Sequence, residues 1–524
     1  MAYNIKNSKK FFQCYFPLRL FLILIGQMPY TQQTLPDGTM RFRFRHRSVL
    51  FVIYCFVVLL YTCLYAWMTV GMISFMLGFF EGTTTAQVMD PITKQLLTVS
   101  YERELVRAQM VPIFVVWSWM TMTVVGALYL LFHGRSYSHF MNHWSRVVCV
   151  LDTDCTKGVR KSLWVSNFVF LVVLLFLIGM FVAGVTLNPK MTGILSVSDT
   201  VASFLFRILQ ISITTTDVTD GSSITLFKYR LCGFLLILLA YTGSRAIISQ
   251  FLFFQKLLRN LAWNWDCRLI NCLEACKKER KGDQTKRRVD FTRLLKDHLT
   301  MIQVFKFTNE NYNYVITTYY VMVTIALVLE LYHLASIILL PLVEYTEVMF
   351  IPSIDGGMMG EGLKDSQVIR KNEDLVDWNN LNEFLLSLTF LCYQGMTCWV
   401  VTSATANAYE AAFAGYTILR RHGFMYCKTK AERNFMWSMY FNYSKSSPAI
   451  TSASGYFSVN RTLFLVLANT IINYSVSMYQ LKPEDWAEED RVVPHGDNPS
   501  LVESFREFLR MKDQSLVDGY RSTK

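Results

Sequence analysis

Charged residues are scarce in this chain. Only 17% of its 524 residues are charged, whereas 52% are apolar and the mean hydropathy is +0.28. Soluble proteins of this length carry about a quarter charged residues. The deficit is concentrated in long apolar runs, which is typical of helices that cross a membrane. The formal charge of +12 comes from Lys and Arg in short segments between those runs, so we expect membrane topology and no nucleic-acid partner.

Motifs of enzymes and cofactor sites are missing as well. The sequence contains no HExxH, no glycine-rich phosphate loop and no GxSxG, the patterns that metalloproteases, nucleotide-binding proteins and serine hydrolases carry. Three neighbouring cysteines, Cys267, Cys272 and Cys276, lack the spacing of a zinc site. We therefore expect no enzyme, no metal site and no cofactor.

A cleavable signal peptide is not evident either. The first apolar run, from Phe11 to Tyr30, contains polar residues and two prolines. It lacks the small-residue cleavage site of a secretory signal. We interpret the stretch from Pro17 to Pro29 as a helix in the cytosol or at the membrane interface.

Seven apolar runs are each long enough to cross a hydrocarbon core, which needs about 20 residues of helix. They are numbered here as spans 1 to 7. Their predicted ranges are Val49–Phe79, Ala108–Phe132, Leu163–Leu187, Leu231–Phe254, Tyr314–Leu342, Phe384–Tyr416 and Leu463–Leu481. The sequence therefore predicts an all-α integral membrane protein with seven transmembrane helices.

The distribution of basic residues predicts the orientation of the spans. Lys and Arg are frequent before span 1 and between spans 2 and 3, 4 and 5, and 6 and 7, whereas the segment between spans 5 and 6 is acidic. Cytosolic loops carry the excess of Lys and Arg. All 12 cysteines fall in predicted spans or in these basic segments, as expected for thiols on the reducing side of a membrane. We expect a cytosolic amino terminus and an extracellular carboxyl terminus.

This topology divides the chain into seven segments. Residues 255–313 carry apolar residues at helical spacing, which predicts that spans 4 and 5 extend into the cytosol. The predicted segments are a cytosolic amino-terminal segment (1–48), spans 1 to 4 (49–254), the cytosolic helical extensions of spans 4 and 5 (255–313), spans 5 and 6 (314–416), a cytosolic segment leading into span 7 (417–462), span 7 (463–481) and an extracellular carboxyl-terminal tail (482–524).

Span 7 contains no charge but carries a polar stripe. Asn469, Asn473, Ser477 and Gln480 recur at spacings of four, four and three residues, so they share one helical face. Such groups are costly against lipid and must face protein or water. They line a pore in one interpretation, and in the other they form hydrogen bonds between packed helices.

Polar and aromatic residues in spans 2, 5 and 6 are candidates for a ligand site. Glu330 is an acid in mid-membrane, where ionisable groups are expensive and often functional, and His333 lies within one turn of it. Aromatic rings with a few polar groups suit a small polar ligand. The alternative is a structural Glu–His pair among core aromatics. The candidate residues are Trp117, Trp119, Glu330, His333, Tyr393 and Gln394.

Several short motifs resemble those of one receptor family. The end of span 7, NYSVSMYQL from Asn473 to Leu481, resembles the gustatory receptor signature of Thr-Tyr, five mostly apolar residues and Gln-Phe. Tyr474 and Gln480 match this signature, whereas Asn473 and Leu481 replace its Thr and Phe. Three further segments are similar to motifs of the same family: SGYFSVNRTLFL at 454–465, LIGQMP at 24–29, and FRFRHRSVLFVIY at 42–54, the last resembling its sugar-sensing branch.

The resemblance implies a tetrameric ligand-gated cation channel in the plasma membrane. It further implies that span 7 of each subunit lines a central pore, with Gln480 and Leu481 at the outer constriction. The ligand, a sugar or another small polar tastant, is expected in the outer half of spans 2 to 6. The implied partners are this tastant, cations, membrane lipid and identical or related receptor subunits.

Other seven-span architectures compete with this interpretation. The related odorant receptors share the architecture and are the nearest alternative. A G-protein-coupled receptor has an extracellular amino terminus, against the charge distribution, and span 7 lacks an Asn-Pro-x-x-Tyr sequence. A transporter commonly shows repeated halves or broken helices, which this sequence does not.

The orientation is testable by epitope tags on intact cells. We expect an amino-terminal tag to be inaccessible to antibody and a carboxyl-terminal tag to be labelled, because basic loops stay in the cytosol. Permeabilised cells provide the control, since both tags should then be labelled. Surface labelling of the amino-terminal tag would refute the channel topology.

Overall fold

The computed structural model describes most of the helical part of the chain. The described residues are 5–35, 40–81, 87–89, 96–98, 101–151, 155–186, 194–195, 197–199, 201–202, 223–280, 291–348, 378–422, 429–445, 452–453 and 457–480. The chain divides into two compact units, Met1–Val476 and Ser477–Lys524. The packing described below belongs to the first unit.

All seven predicted spans form helices. Among the described residues, spans 1 to 6 are long and apolar enough to cross a membrane. Span 7 is a helix of 20 residues, about 30 Å long at 1.5 Å per residue. The observed helices are Val49–Glu81, Tyr101–Phe132, Val159–Thr186, Ser223–Arg280, Phe291–Val348, Trp378–His422 and Arg461–Gln480. The predicted all-α membrane class is confirmed, and its orientation stays a prediction.

Spans 4 and 5 are much longer than a bilayer requires. Each is one continuous helix of 58 residues, about 87 Å long, whereas a hydrocarbon core is about 30 Å thick. No proline or positive-φ residue interrupts the long basic and amphipathic part of either helix. Both helices are therefore much longer than one membrane crossing requires, and their extension into the cytosol stays a prediction.

Spans 2, 4, 5 and 6 form the packed centre, and spans 1 and 3 lie outside it. Span 1 packs on span 2 and span 3 packs on span 4. Spans 1 and 3 leave large apolar side chains exposed, among them Phe56 and Phe168. Exposed apolar faces on long helices are what lipid-facing helices present, since lipid does not penalise them.

Small residues let spans 2 and 4 approach closely. A Cβ on Gly126 would lie 2.2 Å from the Ile247 side chain, and one on Gly243 would lie 2.4 Å from the Thr123 methyl group. Thr123 also donates a hydrogen bond to the Ala240 carbonyl at 3.2 Å. Close approach through small residues is the usual packing mode of membrane helices.

The segment before span 1 contains a helix whose bounds differ from the predicted ones, and a hairpin that the sequence did not predict. The helix runs from Ile5 to Leu24, not from Pro17 to Pro29 as predicted. Gly26, two residues after its end, has a φ of +71°. The Gln27 N–H bonds to the Leu22 carbonyl and the Gly26 N–H to the Ile23 carbonyl. This pair of bonds is a Schellman motif, which needs a left-handed residue and explains the end of the helix.

This amino-terminal helix also packs more deeply than a surface helix. Phe11 and Tyr15 are buried and lie 6.1 and 5.3 Å from the ring of Phe253 in span 4. Phe16 and Leu24 on the opposite side are exposed. The helix is thus part of the larger core, with a second apolar side directed outward.

A connecting helix, Gly134–Val150, follows span 2 directly and holds the hairpin. The hairpin pairs Tyr30–Thr34 with Met40–Phe44 in antiparallel register. The Phe42 N–H donates to Asn142 at 2.8 Å, and the Phe42 carbonyl accepts from Asn142 at 2.9 Å and from Ser138 at 3.0 Å. Three side-chain bonds therefore fix one strand residue to the connecting helix.

A tyrosine network continues this contact towards spans 4 and 5. The Tyr137 hydroxyl donates to Gln250 at 2.9 Å and lies 2.8 Å from the Tyr312 hydroxyl. Burial raises the pKa of Tyr137 well above its usual value, so its hydroxyl stays protonated and able to donate.

The remaining described elements are short. They are the helix Lys430–Lys445 and the strand pairs Gln87–Met89 with Leu96–Thr98 and Ser452–Ala453 with Phe457–Ser458.

The anchoring of the hairpin predicts an order of stability losses. We expect Asn142→Ala to cost about 2 kcal/mol, because it leaves the Phe42 N–H unpaired, and Ser138→Ala to cost about 1 kcal/mol. Thermal unfolding of the purified protein in detergent measures both. Ser136→Ala is the matched control on an exposed position of the same helix. Equal midpoints for all three variants would contradict the proposed anchoring.

Candidate functional site

Four aromatic side chains from spans 2, 4 and 6 meet in the packed centre. The Trp119 ring lies 5.1 Å from Tyr241, 5.4 Å from Phe390 and 6.2 Å from Tyr393. The Tyr241 and Tyr393 rings are 5.3 Å apart. These distances lie in the range of favourable edge-to-face and tilted ring contacts. The set is named here the aromatic cluster.

Span 3 closes one side of the aromatic cluster. The Phe170 ring stacks on Tyr241 at 5.1 Å with an interplanar angle of 12°. The Tyr241 hydroxyl donates to the Phe170 carbonyl at 3.2 Å and also interacts with the Tyr393 hydroxyl. Span 4 thus positions Tyr241 between span 3 and span 6.

The structure brings two predicted ligand residues together here, Trp119 and Tyr393, and separates a third. Trp117 lies two positions from Trp119, about 200° around the helix. Its indole N–H donates to Thr69 at 3.0 Å, and its ring stacks on Tyr65 at 6.0 Å. Trp117 therefore faces span 1, and its part in a ligand site stays a prediction.

Glu330 lies at the interface of spans 5 and 6, with 0% of its surface exposed. The Ser387 hydroxyl interacts with its carboxyl group. Neither carboxyl oxygen has a hydrogen bond of normal geometry within the described part of the chain. His333 is buried on the same helix, and no hydrogen bond of normal geometry joins it to Glu330.

Further polar groups lie along the same two helices. The Gln394 side chain follows Tyr393 directly and is buried, and its amide nitrogen has no hydrogen-bond partner among the described residues. The Tyr319 hydroxyl likewise has no hydrogen-bond partner among the described residues. Buried polar groups without partners are rare in proteins, so this part of spans 5 and 6 holds unused hydrogen-bonding capacity.

Arg245 is a buried cation one turn from Tyr241 in span 4. It interacts electrostatically with Tyr241 and Tyr319. The cation therefore lies beside the aromatic cluster, while Glu330 lies near Ser387.

Tyr241, Phe390 and Ser387 are site residues that sequence reasoning missed. Each belongs to an apolar or neutral stretch without a distinctive motif. A signal did exist, because Ser387, Phe390 and Gln394 recur at spacings of three and four residues and so share a face of span 6.

Span 7 packs on the centre through one face. Leu463, Leu467 and Ile471 pack against the larger core. The Ser475 hydroxyl donates to the Val328 carbonyl of span 5 at 3.1 Å, and the Phe464 ring lies 4.9 Å from Trp399 of span 6. These four-residue spacings place the packed residues on one side of the helix.

The start of span 7 is fixed by a cap and an ion pair. The Asn460 side chain accepts a hydrogen bond from the Leu463 N–H at 2.9 Å, which is an N-cap. Arg461 forms an ion pair with Glu410 of span 6 at 3.0 Å.

The polar stripe of span 7 lies opposite the packed face. Asn469 and Asn473 are exposed, and each is displaced by more than 100° around the helix from Ser475. Ser477 and Gln480 continue the same face by their spacing. The Gln480 side chain and Leu481 lie outside the described residues, so their places in a constriction stay predictions.

No group of acidic, His or Cys side chains among the described residues has the arrangement of a metal site.

Thiol chemistry can test whether the polar face of span 7 borders water. We expect Asn469→Cys and Asn473→Cys to react with a charged methanethiosulfonate about 100-fold faster than Ser475→Cys, because reaction requires a hydrated thiolate. Labelling of the assembled protein in membranes measures these rates. The unsubstituted protein controls for its native cysteines. Equal rates at all three positions would show that the two faces do not differ in hydration.

Neither protein-family models nor curated proteins match this sequence. Solved structures match its fold. The structure of the insect olfactory receptor OR5 from Machilis hrabei superposes with a TM-score of 0.50 and 13% sequence identity, covering 91% of this chain and 100% of that chain. The structure of the same receptor in complex with eugenol gives a TM-score of 0.50 and 12% identity, covering 90% and 98%. This chain therefore has the helical membrane fold of an insect olfactory receptor.

Proposed function

We propose that this protein is a chemoreceptor of the plasma membrane that acts as a ligand-gated, non-selective cation channel. Four subunits surround a central path, and span 7 of each subunit lines it. The similarity of fold to an insect olfactory receptor supports a receptor role. The motifs of span 7 support the same family of channels, since Tyr474 and Gln480 match its signature.

The exposed polar face of span 7 is the observation that carries the channel proposal. Asn469 and Asn473 are exposed on this face, and amides exposed to lipid are costly. Four copies arranged around an axis would turn the amides towards one another and towards water. Asn469 and Asn473 would then replace part of the hydration of a passing ion.

The absence of acidic residues in span 7 determines the expected selectivity. Strong discrimination among cations usually needs rings of charged side chains or ordered carbonyl groups, and span 7 has neither in its sequence. We expect weak selectivity. Leu481 would supply an apolar ring that closes the path by excluding water, and Gln480 would line the open path.

The ligand would bind among spans 2 to 6, at the aromatic cluster and the polar groups of spans 5 and 6. Aromatic rings with a few convergent polar groups are typical of small-molecule sites. The motifs favour a sugar or another small polar tastant. The fold supports an odorant equally, since the neighbouring structure is an olfactory receptor whose complex contains eugenol.

Current recordings test the pore directly. We expect Asn473→Asp to increase the permeability of divalent relative to monovalent cations by about threefold or more, because four carboxylates would then border the path. Reversal potentials in patch-clamp recordings measure the change. Ser475→Ala is the control on the packed face, and its permeability ratios should equal those of the unsubstituted protein.

The same recordings decide between classes of receptor. Ligand-evoked current that persists without G protein supports a channel, whereas a response that requires G protein does not. If Asn473→Asp leaves the permeability ratios unchanged, span 7 is a packing helix and its amides bond to neighbouring helices.

A further inference from the structure

Glu330 is a buried acid without a cationic partner in the described part of the chain. By contrast, Asp199, Asp297, Glu310 and Glu410 each form an ion pair with Arg or Lys. The carboxyl of Glu330 is fully buried, and among the described residues it interacts with the neutral hydroxyl of Ser387. An uncompensated carboxylate in this position is expensive, and a cation is the group that offsets its cost most effectively.

The carboxyl of Glu330 lies close to the aromatic cluster. Ser387, which interacts with it, precedes Phe390 by three residues and shares its helical face. Ala326, one turn before Glu330, packs in the same hydrophobic core as Phe390 and Trp119. Glu330 and the aromatic cluster are therefore linked through one face of span 6 and through Ala326 of span 5.

We propose that the ligand of this site is an organic ammonium ion carrying an apolar or aromatic group. Its charged nitrogen would donate to Glu330 and Ser387, and its apolar part would contact Trp119 and Phe390. Aromatic faces attract such cations, and a charge-assisted hydrogen bond to a carboxylate is about twice as strong as a neutral one. This inference rests on the proposed ligand site and names its substrate class.

A neutral polyol and a metal ion fit the same groups less well. A sugar hydroxyl can bond to the carboxyl but brings no positive charge to it. A metal ion needs several oxygen or nitrogen ligands, and the described residues provide no such group of side chains. An ammonium ion needs one acid and an aromatic surface, which are the groups present.

A series of three probes of similar shape tests the ligand class. We expect phenethylammonium to bind the purified full-length protein at least about tenfold more tightly than 2-phenylethanol, which is equivalent in size but neutral. N,N,N-Trimethylphenethylammonium, which keeps the charge without N–H donors, should also bind more tightly than the alcohol. Isothermal titration in detergent measures the three affinities. Binding of the alcohol as tight as that of both cations, or no binding of either cation, overturns the inference.

A pair of variants then assigns the effect to one residue. Glu330→Gln keeps the shape of the side chain and removes its charge, so it should weaken ammonium binding by at least about tenfold and change alcohol binding by less than about twofold. Glu310→Gln alters an exposed acid on the same helix and should change neither affinity. An unchanged ammonium preference in Glu330→Gln overturns the role of this residue.

The binding measurement is independent of the channel proposal. Selective ammonium binding without any evoked current supports the ligand class and contradicts the channel function. Currents evoked by neutral ligands, in a protein that shows no preference for ammonium in titration, support the channel and contradict the ligand class.

Discussion

The structure depends on the requirement that polar groups inside a hydrocarbon layer find partners within the protein. Helices meet this requirement for the backbone. Threonine side chains in the spans meet it by bonding to carbonyl groups one turn earlier in their own helices, as Thr121 does with Trp117 and Thr402 with Cys398. Against this background, the oxygens of Glu330 and the amide nitrogen of Gln394 are notable, because none of them has a hydrogen bond of normal geometry among the described residues. The same requirement makes the exposed amides of span 7 informative, because amides exposed to a hydrocarbon layer are costly.

Hydropathy was sufficient to predict the spans because a membrane demands about 20 apolar residues at each crossing. It could not predict the segment before span 1 equally well. The strand residue Phe42 is held by Asn142 and Ser138, which lie about a hundred residues further along the chain. No local sequence pattern could therefore predict this contact. The end of the amino-terminal helix was readable in principle, since Gly26 is the residue that a left-handed helix end favours. The predicted helix nevertheless continued to Pro29, whereas the observed helix ends at Leu24.

Prediction of the site was limited by the rotation of each helix about its axis. Depth in the membrane follows from position along a span, so the sequence indicates the depth of Trp119, Glu330 and Tyr393. The direction in which each side chain points depends on how neighbouring helices pack. For this reason the sequence could not predict that Trp117 bonds to Thr69, or that Tyr241 contacts Trp119. Span 7 was the easier case. Its polar residues repeat with the helical period, so their common face follows from sequence, and the structure adds that Ser475 packs on the opposite face.

The two proposed sites share one turn of span 5. Glu330 lies two residues beyond Val328, whose carbonyl accepts the hydrogen bond from Ser475 of span 7. Span 6 touches both sites as well, through Ser387 near Glu330 and through Trp399 against Phe464. A ligand can shift a conformational equilibrium only by binding one state more tightly than another. Because Glu330 lies on the helical turn that contacts span 7, a movement of that turn towards a cation bound at the proposed site would also alter the Ser475 contact. Coupling between the proposed ligand site and the proposed pore would then require no longer path than this single turn.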